Sequence, residues 1–394
     1  MDFDVAVVGA GPAGLSAALA LSAAGWRVGV VERAGRAVLA APPVDGREIA
    51  LAHHSVAVLT RLGVWERIPA EEVSPLVEAR VQNGRSPLAL RFAAPSREGG
   101  PLGWFVPNHL IRRALFGAVA ETGVTLLDGV AVGAVETGGE RARLALADGR
   151  EVTARLVVAA DTRFSEIRRR MGIGARMLDF GKTMLVSRMA HAKPHGGVAC
   201  EWFGHGITIA TLPLPGDASG VVVTLPGHEV ERLKGLAPAD FAAEMEGHLG
   251  SRLGKLELVG ERHAWPLVAT YAHRFAGRRL ALVGDAAVGM HPVTAHGFNF
   301  GLKGAERLAA SLPAGGDPGA VAGLAAYERG HRADTLPLWL ATNAIARLYT
   351  DERLPARIAR EALIGLGAAA GPVRRLISSR LMQAGGGRKI PFAA

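Results

Sequence analysis

The chain has one cysteine, Cys200, among 394 residues. No internal disulfide can close, and no cysteine cluster can hold zinc or iron–sulfur. Aromatic residues make up only 5% of the sequence. None is interleaved with basic residues as in a nucleic-acid-binding module, so nucleic acid is excluded as a partner. No apolar run reaches the roughly 18 uncharged residues that a membrane span requires. No leader-like stretch precedes the first strand-like segment, which predicts a cytoplasmic protein. What remains is a globular composition, 49% hydrophobic and 21% charged, with a length that predicts two domains. Acidic residues are outnumbered, and the net charge is +9. That balance points to an anionic surface or an acidic partner.

Two apolar runs end in glycine. Phe3 to Val8 reads as a buried parallel strand flowing into Gly9-x-Gly11-Pro12-Ala13-Gly14. Gly9 allows the tight turn, Gly11 lets backbone approach a pyrophosphate, and Gly14 lets the following helix pack close. Pro12 suits the first helical turn, and the helix N-terminus offers N–H groups to phosphate. A second strand, Arg27 to Val31, ends at Glu32 and Arg33. A carboxylate at Glu32 takes ribose hydroxyls and disfavours a 2′-phosphate, so this pocket is not for NADP. The second run, Leu280 to Val283, ends in Gly284-Asp285-Ala-Ala. There Asp285 can accept from a ribityl hydroxyl, and backbone N–H groups around Gly297, Phe298 and Asn299 can face a flavin edge. The pair points to FAD held from both ends. Gly365 to Gly371 follows no strand and reads as a helix break. No second nucleotide box is present, so a nicotinamide reductant would visit the flavin without a Rossmann domain of its own.

The chain therefore reads as α/β: a Rossmann-like FAD-binding domain with an inserted antiparallel β-sheet substrate domain and C-terminal helices. The expected boundaries are 1–75, 108–178 and 263–316 for the FAD-binding domain, 76–107 and 179–262 for the substrate domain, and 317–394 for the C-terminal helical region. Val73 to Ala94 predicts a hairpin, and Asn108 predicts a cap for a helix to Glu121. Short strands are expected near Thr183–Met189, Val198–Phe203, Ile207–Leu212 and Gly220–Thr224, with one helix over 239–249. Trp202, Phe203, Leu212, Pro213 and Leu214 are candidates for a cavity wall or for plain sheet core. From Glu328 onward Lys and Arg outnumber Asp and Glu. In Pro372–Met382, Val373, Leu376, Ile377 and Leu381 recur at helical spacing while Arg374, Arg375 and Arg380 fall elsewhere. Such a helix can lie on a membrane interface or dock on its own domain.

Three boxes in order resemble the single-component, class A FAD-dependent monooxygenases of the para-hydroxybenzoate hydroxylase type. They are the glycine box with Glu32, Asp161-Thr-Arg-Phe-Ser-Glu-Ile-Arg168, and Gly284-Asp285 continuing through His291-Pro292 to Gly297-x-Asn299-x-Gly301. Arg47-Glu-Ile-Ala-Leu51 and Asn108-x-x-x-Arg112 are similar to the branch of ubiquinone-biosynthesis flavin hydroxylases, and Thr294-Ala-His-Gly-Phe-Asn299 resembles a subgroup acting on demethoxyubiquinol. The resemblance covers nearly the whole chain. It implies ring hydroxylation of a polyprenyl phenol or benzoquinol with NAD(P)H as co-substrate and O2. It also implies that Arg47, Asn108 and Arg112 lie along the ribityl and phosphate side of the flavin, and it allows contact with the inner membrane or with a ubiquinone-biosynthesis complex.

The chain departs from that pattern at Thr162, where the family has Gly, at Val288, where it has His, and at Ala295-His296, where it has Gly-Gln. Pro292 would line the flavin ring. His296 would stand beside it, as a base or hydrogen-bond partner for a quinol oxygen or as a structural replacement for Gln. His53 and His54 read as surface or core residues, with one of them facing the cavity as the alternative. Three rival readings stay open: a hydroxylase of a soluble aromatic or polyketide metabolite, a halogenase or prenyl reductase on the same scaffold, and a non-catalytic flavin-bound subunit of a quinone-making complex. For the halogenase, only Trp265-Pro266 of the expected tryptophan box is present.

Overall fold

A computed structural model describes residues 1–84, 89–93, 100–204 and 206–350, together with 353, 355, 356 and 360. The chain starts with β1 (Asp2–Val8), whose Val-rich sequence is buried on both faces, then α1 (Pro12–Ala23), β2 (Val28–Val31), α2 (Arg36–Ala40), β3 (Glu48–Leu51) and α3 (His53–Arg61). β4 (Ser74–Leu76), β5 (Glu78–Asn83), β6 (Ala89–Ala93) and β7 (Gly103–Pro107) lead into α4 (Asn108–Ala120). β8 (Thr125–Leu127), β9 (Val132–Glu136), β10 (Ala142–Leu146), β11 (Glu151–Ala159) and α5 (Glu166–Arg170) follow. Next come β12 (Ala175–His191), β13 (Val198–Phe203), β14 (Thr208–Leu214), β15 (Ala218–Leu225), α6 (Gly227–Gly235), α7 (Pro238–Leu249) and β16 (Leu256–Ala272). β17 (Ala276–Gly277), β18 (Leu280–Leu282), β19 (Val288–Gly289), α8 (Gly297–Ser311) and α9 (Val321–Thr350) complete the described elements.

Among the described residues these strands form three sheets. The first has the order β17-β18-β11-β1-β2-β8, with β10 and β9 added at one side of β11. β1 runs parallel to both β2 and β11, and β18 is parallel to β11. Helices cover both faces of such a core, so β1 and β11 carry near-continuous apolar runs. The second sheet has the order β19-β16-β12-β15-β14-β13-β5-β6. It is antiparallel except where β13 runs parallel to β5, a contact that joins sequence-distant segments. A small third sheet, β3-β7-β4, stands between the two.

Side chains alternate across the second sheet. Leu185, Met189, Ile209, Val221 and Val223 pack outward against Phe241 and Met245 of α7 and Val230 and Leu233 of α6. The opposite face turns toward β3, where a methyl on Gly220 would meet the Glu48 side chain at 3.4 Å. α9 is held to the first sheet by Tyr327, whose hydroxyl donates to the Leu282 carbonyl at 2.5 Å.

Several local expectations change. The strand expected at Thr183–Met189 is a 17-residue strand, β12, paired along its length with the equally long β16. The expected boundaries at 178/179 and 262/263 therefore fall inside single strands. Register shifts between Asp179 and Thr183 and between Val186 and Arg188 break the alternation that would mark one continuous strand. β3 and α6 are additional elements. Asn108 does not cap α4: it is the first helical residue, and its side-chain amide donates instead to Asp45 at 2.7 Å. A buried carboxylate attracts that amide more strongly than the helix's own N–H groups do. The expected helix at Pro372–Met382 and the glycine run at Gly365–Gly371 lie outside the described residues.

Candidate active site

The three boxes meet at one point. Gly9 sits at φ +105°, and a Cβ there would lie 2.6 Å from the Ala160 carbonyl oxygen and 3.2 Å from the Asp161 Cα. A Cβ on Gly14 would strike the Gly9 carbonyl oxygen at 1.9 Å. Across the junction, Gly284 at φ +58° leaves room for the Ala13 methyl, which a Cβ on Gly284 would meet at 2.5 Å, and Gly301 of α8 approaches the same methyl. Gly11 is different: a methyl there would meet no protein atom within 4 Å. It precedes the first turn of α1, which carries Pro12 and no side-chain cap. The N–H groups of Ala13 and Gly14 thus border the open space in front of Gly11, a ready site for phosphate oxygens.

The second and third boxes are tied by two arginines. Arg163 donates to Asp285 Oδ2 from Nε at 3.2 Å and from Nη2 at 2.9 Å, and to the Val268 carbonyl at 2.8 Å. Buried Arg168 donates to the Ala286 carbonyl at 2.9 Å and to the Arg163 carbonyl at 3.1 and 3.2 Å. Burial lowers its pKa despite the nearby Asp161 charge. Asp161 Oδ2 accepts from the backbone N–H groups of Glu166 and Ile167, while its buried Oδ1 has no partner among the described residues. Thr162, the residue standing where the family has Gly, has φ +153°. This backbone region favours glycine, and a β-branched residue there carries strain.

Glu32 lies where the sequence expects it. One carboxylate oxygen accepts from Ala10 N at 2.6 Å and the other from Ala34 N at 2.9 Å, so it braces the glycine box. Arg33 beside it is exposed. Arg47 donates to Asp45 Oδ2 from Nε and Nη2, at 3.1 and 2.6 Å, and stacks on Trp265 with 4.6 Å to the ring centre. Burial acts to raise the Asp45 carboxyl, but hydrogen bonds from Arg47 and Asn108 outweigh it and hold the group below its ordinary value. Arg112 lies one helical turn beyond Asn108, half-buried. Arg47 and Asn108 are thus joined through an acid the sequence reading did not single out. Its signal was the Asp-Gly-Arg turn at 45–47.

The segment before α8 is compact. Pro292 begins a short 3-10 turn, and Ala295 ends it at φ +53°. His291 Nδ1 accepts from Val293 N at 3.2 Å, and the ring meets Phe180 edge-on at 4.6 Å. Burial, with Arg163 adding to it, pushes the His291 pKa down to about 4. His296 caps α8 through its backbone, is buried, and points Nδ1 at the Thr294 carbonyl. Burial lowers its pKa, so the ring is neutral near pH 7, with Nδ1 the donor and Nε2 the remaining acceptor. Asn299 ties the third sheet to α8. Its Oδ1 accepts from Ala52 N and Ser55 Oγ, and its amide donates to the Ala50 and Ala295 carbonyls.

The cavity-wall candidates separate by alternation. Phe203 and Leu212 share the face turned toward Gly220 and β3, whereas Trp202 packs on the α6–α7 side and is not a wall. His53 and His54 serve packing. His53 binds the Pro101 carbonyl at 2.8 Å, and His54 binds Glu306 at 3.0 Å. A surface groove of about 640 Å³ runs past Trp65, Pro69, Pro75 and Trp104. None of the residues above lines it. Among the described residues no cluster of His, Cys, Asp or Glu could hold a metal ion.

The arrangement fits a dinucleotide such as FAD: glycine-lined open space, uncapped helix N–H groups, and carboxylates at both ends of the cradle. Comparison with known proteins agrees. The chain matches the FAD binding domain family over residues 2–334. It is 43% identical over 387 residues to ubiquinone hydroxylase UbiM of Neisseria meningitidis, covering 96% of this chain and 84% of that protein. It is 38% identical over 384 residues to ubiquinone hydroxylase UbiL of Rhodospirillum rubrum, covering 96% and 89%. The fold resembles p-nitrophenol 4-monooxygenase PnpA of Pseudomonas putida, with TM-score 0.77, 18% identity, and coverage of 98% and 99%.

Proposed function

The chain belongs to the FAD binding domain family, and from that premise we propose that it is an FAD-dependent monooxygenase of ubiquinone biosynthesis. It hydroxylates the aromatic ring of a polyprenyl phenol or benzoquinol intermediate, using NAD(P)H and O2. The observation that carries the reading is the meeting of Gly9–Gly14, Asp161–Arg168 and Gly284–Gly301 at one cradle in a chain 43% identical to a ubiquinone hydroxylase.

FAD, when bound, supplies hydride acceptance and O2 activation. This chain's residues supply position and charge. In the proposal, Gly11, Pro12, Ala13 and Gly14 hold the pyrophosphate, and Glu32 the ribose with Arg33 beside it. Asp161 supports the same end. Arg47, Asn108 and Arg112 line the ribityl and phosphate side, and Gly284 and Asp285 take a ribityl hydroxyl, with Arg163 orienting the carboxylate. The N–H groups at the start of α8, Gly297 to Asn299, face the pyrimidine edge, where a helix N-terminus favours negative charge. Pro292 lines the ring, and His296 offers Nε2 to a substrate oxygen. The first sheet and its helices make the FAD-binding part, the second sheet makes the substrate part, and α9 is a helical addition. The basic stretch after Glu328 meets an anionic membrane surface, which co-sedimentation with anionic but not neutral vesicles would check.

The test is direct. Purified, FAD-loaded protein is incubated with NAD(P)H, air and a short-prenyl benzoquinol, and the products are weighed by mass spectrometry. A product one oxygen heavier, with NAD(P)H consumption that depends on the quinol, is expected. Consumption without oxygenated product would refute the monooxygenase reading.

A further inference from the structure

Glu201 stands alone in an apolar wall. It lies in the middle of β13, between Val81 of β5 and Ala210 of β14 in the strand register. By alternation it shares the face of Ala199 and Phe203, the one turned away from α6 and α7 and toward β3. Two residues along that face, Phe203 stacks on Tyr349 of α9 with ring centres 3.9 Å apart, and this pair packs against Val293, which follows Pro292. Glu201 is thus one two-residue step, roughly 7 Å, from the wall of the proposed ring site. Its neighbours on this face are small or apolar: Ala199, Ala210 and Val222, with Gly220 beyond. Val81, Phe203 and Leu212 share this face, and none of these neighbours offers the carboxyl a polar partner.

Glu201 is half-buried. It forms no hydrogen bond or ion pair with a described residue. A structural carboxylate at such depth would have an arginine or backbone N–H groups, as Asp45 and Glu32 do. Burial alone raises its pKa to about 8. Another carboxyl on this side of the sheet, Glu48 of β3, has a buried Oε2 without a partner among the described residues and is raised to about 7 by burial, with Arg188 opposing. Arg188 on β12, His263 on β16, His109 on α4, Tyr349 on α9, Asp45 and Glu72 are further titratable and charged groups on this side.

We propose that Glu201 is a catalytic residue that takes the proton from a ring hydroxyl of the bound substrate. The inference rests on the monooxygenase reading above. The substrate O–H bond breaks, an O–H bond forms on the Glu201 carboxylate, and the electron pair stays on the ring oxygen. The ring becomes more electron-rich ortho and para to that oxygen, where an electrophilic oxygen would be accepted. One negative charge moves a short distance inside the cavity and none is created, so the step adds no buried charge. A carboxyl poised near neutral pH suits a weakly acidic hydroxyl better than an ordinary Glu would.

The test compares wild type, Glu201→Gln and Glu48→Gln, all loaded with FAD and checked for flavin absorbance. Wild type should hydroxylate the quinol with a rate that climbs as pH rises through about 8. Glu201→Gln should hydroxylate about 100-fold more slowly or worse, with a flat pH profile. A binding measurement without turnover accompanies it. In the oxidised enzyme, 4-nitrophenol should ionise at higher pH in Glu201→Gln than in wild type, because the amide is a weaker donor to the phenolate than the protonated carboxyl that has taken up the proton. If Glu201→Gln does not fold, Glu201→Asp should retain the rising limb at reduced rate, and loss of the limb there overturns the proposal. A Glu201→Gln enzyme with wild-type rate and profile overturns it, as does a limb that disappears in Glu48→Gln instead. Wild type that makes no hydroxylated product fails the broader functional reading.

Discussion

Replacing Gly11 with alanine separates what the fold needs from what the ligand needs. Gly11 has φ −72° and ψ 176°, a conformation alanine adopts without strain, and a methyl there meets no protein atom within 4 Å. The apoprotein should therefore keep its stability to within about 0.5 kcal/mol. The same methyl would stand in the space where the pyrophosphate approaches the N–H groups of α1. Pushing the phosphate back by the width of a methyl sacrifices one charge-assisted hydrogen bond, worth about 1.5–3 kcal/mol. That loss weakens FAD binding about 10- to 150-fold. The assay is a flavin-fluorescence titration of apoprotein beside thermal melts run without FAD. Gly14→Ala is the contrasting case, because its methyl meets the Gly9 carbonyl oxygen at 1.9 Å and should destabilise the apoprotein itself. Wild-type FAD affinity in Gly11→Ala, or an apoprotein melt as damaged as that of Gly14→Ala, would refute the placement of the pyrophosphate.

Arg168→Leu removes the donors to two buried carbonyls, Arg163 and Ala286, and should cost about 2–4 kcal/mol, read as a lower urea midpoint. Thr162→Gly relieves a backbone held at φ +153° and should leave stability unchanged or raise it by up to about 1 kcal/mol; a clear loss would show that the position is not strained. The Glu201 carboxyl has a folded-state pKa, about 8, above its unfolded one, so its contribution to stability is full below the unfolded value and lost as pH rises through about 8. Glu201→Gln should therefore gain melting temperature relative to wild type at alkaline pH and lose that advantage in mild acid.

The first sheet was legible because β1 and β18 are short apolar runs ending in glycine, and because Gly9, Gly14 and Gly284 each make an approach that no side chain permits. The position of Glu32 at the end of β2 was legible from spacing alone, although its grip on Ala10 and Ala34 was not. The long β12 read as a shorter strand because its two register shifts interrupt the alternation. Alternation, followed more strictly, would have moved Trp202 to the outer face and singled out Glu201 as a charge on the inner one. Arg163 and Asp285 lie 122 positions apart, and no local pattern announces their pairing. Thr162 was visible as a departure from the family. That it keeps a backbone suited to glycine was not.

β18 leads directly into Gly284 and Asp285 and is the partner of Val157–Ala159 on β11. A ribosome making this chain finishes β11, then spends roughly ten seconds on β12 to β16 of the second sheet before that partner emerges. Throughout that interval the nascent polypeptide presents an apolar strand with an unsatisfied edge, a template for aberrant pairing with other chains. Expression yield should therefore depend on chaperone supply and translation speed more than the stability of the finished enzyme suggests, and fragments terminated before residue 280 should precipitate.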